Sequence, residues 1–136
     1  MLRDAARARR VNAVARVKQA VALAPARKWS VAELGRIANL SPFHLRRVFR
    51  QIAGTSLYDY VLRERLAHAL DAVLDGGDDI TAIALDAGFA SHSHFTSRFK
   101  GFFNCTPAAF RRLATAERAA RSRKIMTARR SPSAVD

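Results

Sequence analysis

The chain has 136 residues, with 24 Lys and Arg against 11 Asp and Glu, for a formal net charge of +13. One cysteine excludes a disulfide framework and any cysteine-based zinc site and fits a reducing cytosol; no apolar run is long enough to span a membrane, and the opening MLRDAARARR lacks the apolar core of a signal peptide. The length suits one domain, or one domain plus a tail, and the charge points to a polyanionic partner, nucleic acid ahead of an anionic membrane surface.

Val11, Val14, Val17 and Val21 recur at helical spacing, which predicts an amphipathic helix from about Arg10 to Ala24, stopped by Pro25. Ser30 and Glu33 form a capping box that opens a short helix burying Leu34, Ile37 and Ala38. After a tight break at Asn39-Leu40, Ser41 caps a third helix with Pro42 at its first position, where the missing N–H costs nothing. Leu45, Val48, Phe49 and Ile52 mark its inner face, and Gly54 closes it. Ser56, with Asp59 behind it, opens a long helix to about Leu74, buried through Leu57, Val61, Leu66, Leu70 and Val73 and roughly 28 Å long at 1.5 Å per residue.

Beyond the turn at residues 75–78 the pattern returns. Asp79 caps a helix burying Ile80, Ile83, Ala84 and Ala87; Gly88-Phe89 breaks it; Ser91 caps another with Phe95, Phe99 and Phe102 inside. Pro107 starts a last short helix that ends near Leu113. Residues 114–136 are rich in Ala, Arg and Ser and read as a basic, disordered tail. Leu34, Ala38, Asn39 and Leu40 match Ile83, Ala87, Gly88 and Phe89 at an offset of 49. Ala90 is then inserted, and Ser41, His44, Leu45, Phe49 and Arg50 match Ser91, His94, Phe95, Phe99 and Lys100 at an offset of 50. A small helix, tight turn and capped second helix, twice over, describe an all-α chain of two helix-turn-helix subdomains joined by a long central helix. The first occupies about residues 30–53, the linking helix 56–74 and the second 79–103, within a domain spanning 8–113.

The second helix of such a unit enters the major groove of DNA. In the first unit its outward stripe is Phe43, Arg46, Arg47 and Arg50. Arg46 or Arg47 can hold a guanine edge with two hydrogen bonds, Phe43 can touch a thymine methyl, and Arg50, a turn further on, suits phosphate, as does Ser41 at the helix start. The matching stripe in the second unit is Ser93, Thr96, Ser97 and Lys100, with His92 and Arg98 beside it. His92, Ser93, Thr96 and Ser97 are candidates for single hydrogen bonds to bases; Ser91, Arg98 and Lys100 suit phosphate. The first unit is therefore expected to supply most of the sequence discrimination. Two reading helices on a spacer of this length can enter successive major grooves about 34 Å apart.

Charge placement qualifies the total. Residues 1–20 carry six basic groups and one acid, and residues 111–136 carry eight and two, which leaves the middle with ten and eight, a net of +2. The flanks can strengthen binding to any nucleic acid without choosing a sequence, so a non-specific architectural DNA- or RNA-binding protein is the alternative reading, and a membrane-surface module a further one.

The run from Trp29 to Arg112 resembles the DNA-binding domain of the AraC/XylS family of bacterial transcription regulators. S41-P-F-H-L-R-R-V-F-R50, G54-T-S-L-Y-D-Y60 and R65-L66 are similar to its first unit and linker; I80-T-A-I-A-L-D-A-G-F89, F99-K100, C105-T-P107 and F110-R111 are similar to its second. The resemblance implies a cytoplasmic, non-enzymatic regulator that binds double-stranded promoter DNA, activates transcription and contacts RNA polymerase. It places base contacts at Phe43, Arg46 and Arg47 and at His92, Ser93 and Ser97. Where the family has a basic residue in the second reading helix this chain has Ser97, and where it has glycine before the C-terminal motif this chain has Asn104. Many members carry a small-molecule sensor domain, for which this chain has no room; it is expected to be a minimal stand-alone regulator or the DNA-binding part of a larger one.

No cofactor or metal is expected. His92 and His94, two apart on a helix, point to different faces, and with His44 and His68 elsewhere they make no zinc set. His44 and His94 are expected to be structural or phosphate-facing. Cys105 is a lone thiol, and Trp29 is expected to pack beneath the first unit.

Overall fold

The computed structural model describes residues 2–77 and 79–113, together with 117, 120 and 123. Seven helices and no strand occur among the described residues: α1 (Leu2–Leu23), α2 (Val31–Ala38), α3 (Pro42–Ala53), α4 (Leu57–Asp75), α5 (Ile80–Asp86), α6 (His92–Phe103) and α7 (Pro107–Arg112). None of them is long and apolar enough to cross a membrane. The chain forms two compact units whose boundary falls after Val61, inside α4. This is the all-α, twofold helix-turn-helix arrangement expected. The tail expected to be disordered, 114–136, lies outside the described residues apart from Glu117, Ala120 and Arg123, which are helical and exposed.

The first unit packs α1, α2, α3 and the opening turn of α4 around one core. α1 starts at Leu2, well before the expected Arg10. Its first turns are Ala and Arg, strong helix formers with no apolar rhythm, and Asp4 sits in the first turn where a carboxylate complements the helix dipole. Val14, Val17 and Val21 are buried as expected, but Val11 is exposed and Ala13 takes the inward position. On α2, Leu34 and Ala38 are buried and Ile37 is only partly so. Leu45, Val48, Phe49 and Ile52 of α3 are all buried. Tyr60 fixes the start of α4 here: its ring lies 5.5 Å from that of Phe49, and its hydroxyl donates to the Lys18 carbonyl at 3.4 Å.

The second unit packs the rest of α4 with α5, α6 and α7. Val61, expected in the core, is half-buried, and Leu62 is buried instead. The inward stripe of α4 changes phase at this point, because Leu57 and Tyr60 serve the first core while Leu62, Leu66, Ala69, Leu70 and Val73 serve the second. Aromatic rings dominate this second core. Phe95, Phe99, Phe103 and Phe110 are fully buried, and Phe99 meets Phe95, Phe103 and Phe110 at centroid distances of 5.7, 4.5 and 5.4 Å. Phe103, rather than the expected Phe102, is the third inward ring of α6; Phe102 is half-buried at the edge. Ile80 is likewise half-buried. Arg111 reaches from α7 to the C-terminal end of α4, where its Nε donates to the Val73 carbonyl at 2.7 Å.

Candidate nucleic-acid interface

Each unit holds its second helix by the same three local devices. The first is a capped entry to the short helix. Ser30 Oγ accepts the Glu33 N–H at 3.0 Å while Glu33 Oε1 accepts the Ser30 N–H at 3.0 Å, closing the capping box. That Ser30 N–H holds the Glu33 carboxyl below its usual range; partial burial opposes the effect, and the nearby Arg27 and Arg36 reinforce it. Arg27 pairs with Glu33 at 2.6 Å and lies 4.3 Å over the Trp29 ring, and the Trp29 indole donates to the Ala24 carbonyl at 2.9 Å. Trp29 thus packs against the first core as expected. In the second unit Asp79 alone does this work, accepting the Ala82 N–H at 2.8 Å.

The second device is the turn. In the first unit the Asn39 N–H bonds the Arg36 carbonyl and the Leu40 N–H bonds the Gly35 carbonyl, with Asn39 left-handed at φ 59°. In the second the Gly88 N–H bonds Leu85 and the Phe89 N–H bonds Ala84, with Gly88 at φ 95°. Both are Schellman turns, which satisfy the last carbonyls of the short helix and reverse the chain. They differ in tightness. A Cβ on Gly35 would stand 2.6 Å from the Leu40 carbonyl oxygen, so the first turn admits only glycine there. Its counterpart is Ala84, buried with its methyl group in place; the inserted Ala90 follows that turn, between Phe89 and the Ser91 cap.

The third device is the serine cap of the second helix. Ser41 Oγ accepts the His44 N–H at 3.2 Å, and Ser91 Oγ accepts the His94 N–H at 3.1 Å. Each hydroxyl accepts this bond and keeps its own proton, free to be donated to an oxygen outside. Gly54 (φ 76°) ends α3 and Asn104 (φ 64°) ends α6, so asparagine and glycine exchange places between the two units at their two left-handed positions. Asparagine tolerates this conformation because its short amide can bond locally.

With its inner face committed to the core, α3 presents Phe43, Arg46, Arg47 and Arg50 outward, all exposed; Phe43 is 75% exposed, unusual for so large an apolar ring. Three guanidiniums on one face supply rigid paired donors that match the O6 and N7 acceptors of guanine or the oxygens of phosphate. On α6, His92, Ser93, Ser97 and Lys100 are exposed and share the outer surface. Arg98 is half-buried at its margin. Thr96 departs from expectation: it is half-buried, and its Oγ1 is enclosed with no hydrogen-bond partner, so the hydroxyl predicted to meet a base faces inward. Thr96 lies one position after the buried Phe95, at the edge of the inner stripe, and the sequence repeat pairs it with Arg46, whose long side chain escapes that edge where a threonine does not. His44 is exposed, whereas the His94 ring lies edge-on to Phe89 at 5.5 Å.

A further basic group of the first unit has a role that its place in the sequence conceals. Arg16 of α1 donates from Nε to the Ile37 carbonyl at 3.2 Å, securing the end of α2. Its signal in the sequence is an arginine one residue before a buried valine, which is easily read as plain surface charge.

These elements define a helix-turn-helix DNA-binding fold in two copies. A family profile described as a helix-turn-helix domain matches residues 34–113. The chain is 39% identical to the probable transcription factor PqrA of Proteus vulgaris, over 62% of this chain and 78% of that protein. It is 39% identical to the regulator GlxA of Rhizobium meliloti, over 58% of this chain, and 30% identical to the transcriptional activator AarP of Providencia stuartii, over 60%. The match spans about a quarter (24%) of GlxA and 61% of AarP. A crystal structure of an AraC-type transcriptional regulator from Chromobacterium violaceum is similar over 81% of this chain and 92% of its own, with 27% identity and a TM-score of 0.66. The chain belongs to the AraC-type helix-turn-helix family.

Proposed function

We propose that the chain is a sequence-specific transcription regulator, an activator, that reads double-stranded promoter DNA with α3 and α6 in successive major grooves and contacts RNA polymerase. The observation that carries this reading is the outer face of α3, where a 75% exposed phenylalanine stands among three exposed arginines on a helix whose other face is wholly buried. Phe43 with Arg46 or Arg47 reads bases, while Arg50 and the Ser41 hydroxyl hold phosphate. On α6, His92, Ser93 and Ser97 make single hydrogen bonds to bases, and Ser91, Arg98 and Lys100 anchor the backbone. Each unit carries one such capped reading helix, which supports one major groove for each. The activating role and the polymerase contact follow the family, in which AarP is named an activator.

The test is selection of bound duplexes from a randomised pool, followed by titration of the preferred and a scrambled sequence. The expected result is one enriched motif, with Arg46→Ala or Arg47→Ala weakening the preferred site by about 1–3 kcal/mol and relaxing a single base position. Equal binding of all sequences would overturn specific readout in favour of an architectural role for the basic flanks.

A further inference from the structure

Besides the reading helices, the first unit carries a second basic feature. The N-terminal half of α1 and the turn between α2 and α3 enclose an open groove of about 530 Å³. Ala6 and Ala13 line it with small side chains, and Arg9, Arg10 and Arg16 of the same helix line it beside them. Asn39 and His44 line the opposite side, and no residue lining the groove is acidic. Among the described residues no carboxylate pairs with Arg9, Arg10 or Arg16. Arg16 is also fixed in place: its Nε bond to the Ile37 carbonyl leaves both terminal NH₂ groups available.

Three cations around one groove repel one another unless an anion lies between them, and guanidinium forks match phosphate oxygens. An open groove suits a phosphate belonging to an extended polymer better than an engulfed small molecule. Its rim includes His44, next to Phe43 on α3, so an occupant sits directly beside the reading face. We propose that this groove holds backbone phosphate of the DNA flanking the bases read by α3, with Arg9 and Arg10 as donors and Arg16 as a third, held in place by its bond to Ile37. The proposal rests on the reading that α3 enters the major groove. It gives the first eight or so residues of α1, which contribute no core side chain, a function: they extend the footprint past the helix-turn-helix itself.

The experiment measures affinity of the full chain against salt concentration on its selected duplex, for wild type, R9Q/R10Q and R46A. Arg9 is exposed and Arg10 half-buried, and neither belongs to the core; unchanged far-UV circular dichroism and melting confirm that the double variant folds. The double variant is expected to lose about two units of the log–log salt slope, so that a fourfold dilution of salt strengthens wild-type binding about tenfold more than that of the variant. Its base preference should stay as in wild type, and on a duplex trimmed to the edges of the selected motif the two slopes should converge. An unchanged slope in R9Q/R10Q, with R46A still relaxing the motif, overturns the groove proposal and leaves the reading helix intact. A lowered slope in R9Q/R10Q with R46A indistinguishable from wild type supports the phosphate groove and overturns only the base-reading assignment. Saturable binding of inorganic pyrophosphate that is lost in R9Q/R10Q, together with an unchanged DNA slope, assigns the groove to a free anion and overturns the DNA source.

Discussion

The two helix-turn-helix units share their local devices and differ in most of the side chains that fill and flank them. Both use an oxygen cap, a Schellman turn with one left-handed residue and a serine cap. Yet the first fills its reading helix with Leu45, Val48, Phe49 and Ile52, and the second with Phe95, Phe99 and Phe103. Their outer faces diverge further, Phe43, Arg46, Arg47 and Arg50 against His92, Ser93, Ser97 and Lys100. The motif therefore asks for caps, a turn and an apolar stripe of the right period, and any side chains that fill the space will do. What remains exposed is free to specialise, and the first unit has taken the groups able to make paired hydrogen bonds to bases.

The strongest challenge to this picture of parallel units is Phe99→Ala. Phe99 is fully buried and meets three other rings, so its removal should cost about 3–5 kcal/mol of the second unit's stability. Trp29, the single tryptophan, reports on the first unit, and circular dichroism reports on both. Denaturant titration should show helix loss at low denaturant while the Trp29 transition stays near its wild-type midpoint. If the two signals shift together, the halves are one cooperative block and the comparison fails.

The unequal outer faces predict unequal losses in DNA binding. Arg46→Ala should weaken the preferred duplex by about 1–3 kcal/mol, whereas Ser97→Ala, which deletes one neutral hydrogen bond, should cost about 0.5–1.5 kcal/mol. Fluorescence anisotropy on the same labelled duplex ranks them, and a larger effect at Ser97 would transfer the main reading role to the second unit. The turns differ too. Gly35→Ala forces a methyl against the Leu40 carbonyl and should destabilise the first unit by about 1–3 kcal/mol. Ala84→Gly meets no clash and should cost nearer 1 kcal/mol through backbone freedom. Thermal melts of the two variants measure the difference, and equal losses would show that the two turns are equally tight.

The smallest effect concerns pH. Glu33 is held below its ordinary range in the folded protein, so it adds stability above its unfolded pKa, and that contribution is lost as pH falls through the lowered folded value. Wild type should therefore lose slightly more stability than Glu33→Gln on acidification through the carboxylate range.

Caps, turns and most of the core were legible in the sequence because each is a local signal: Ser30 with Glu33, Ser41 before Pro42, and the spacing of Leu45, Val48, Phe49 and Ile52. The misplacements share one cause, an apolar period interrupted by something non-local. Val61 has the spacing of a core residue yet is half-buried, with Leu62 buried beside it, because α4 changes its inward stripe where it passes from one core to the other. Phe102 and Phe103 are adjacent phenylalanines, and packing against Phe99 and Phe110 chooses between them. The early start of α1 carries no apolar period at all. The candidate site divides the same way: the α3 stripe follows from helix geometry, while the inward hydroxyl of Thr96 and the groove of Arg9, Arg10 and Arg16 arise from neighbours distant in sequence.

The bond from Arg111 to the Val73 carbonyl joins positions 38 residues apart and encloses α5 and α6 between its ends. In mechanical terms it is a clasp: a pull on the C-terminal side of the domain loads this bond, and the burial of Phe110 beside it, before any tension reaches α6. Fraying from that end should therefore stop at α7. Proteolysis on the C-terminal side of Leu113 is expected to leave the second unit closed, while Arg111→Ala should let the cut advance into α7.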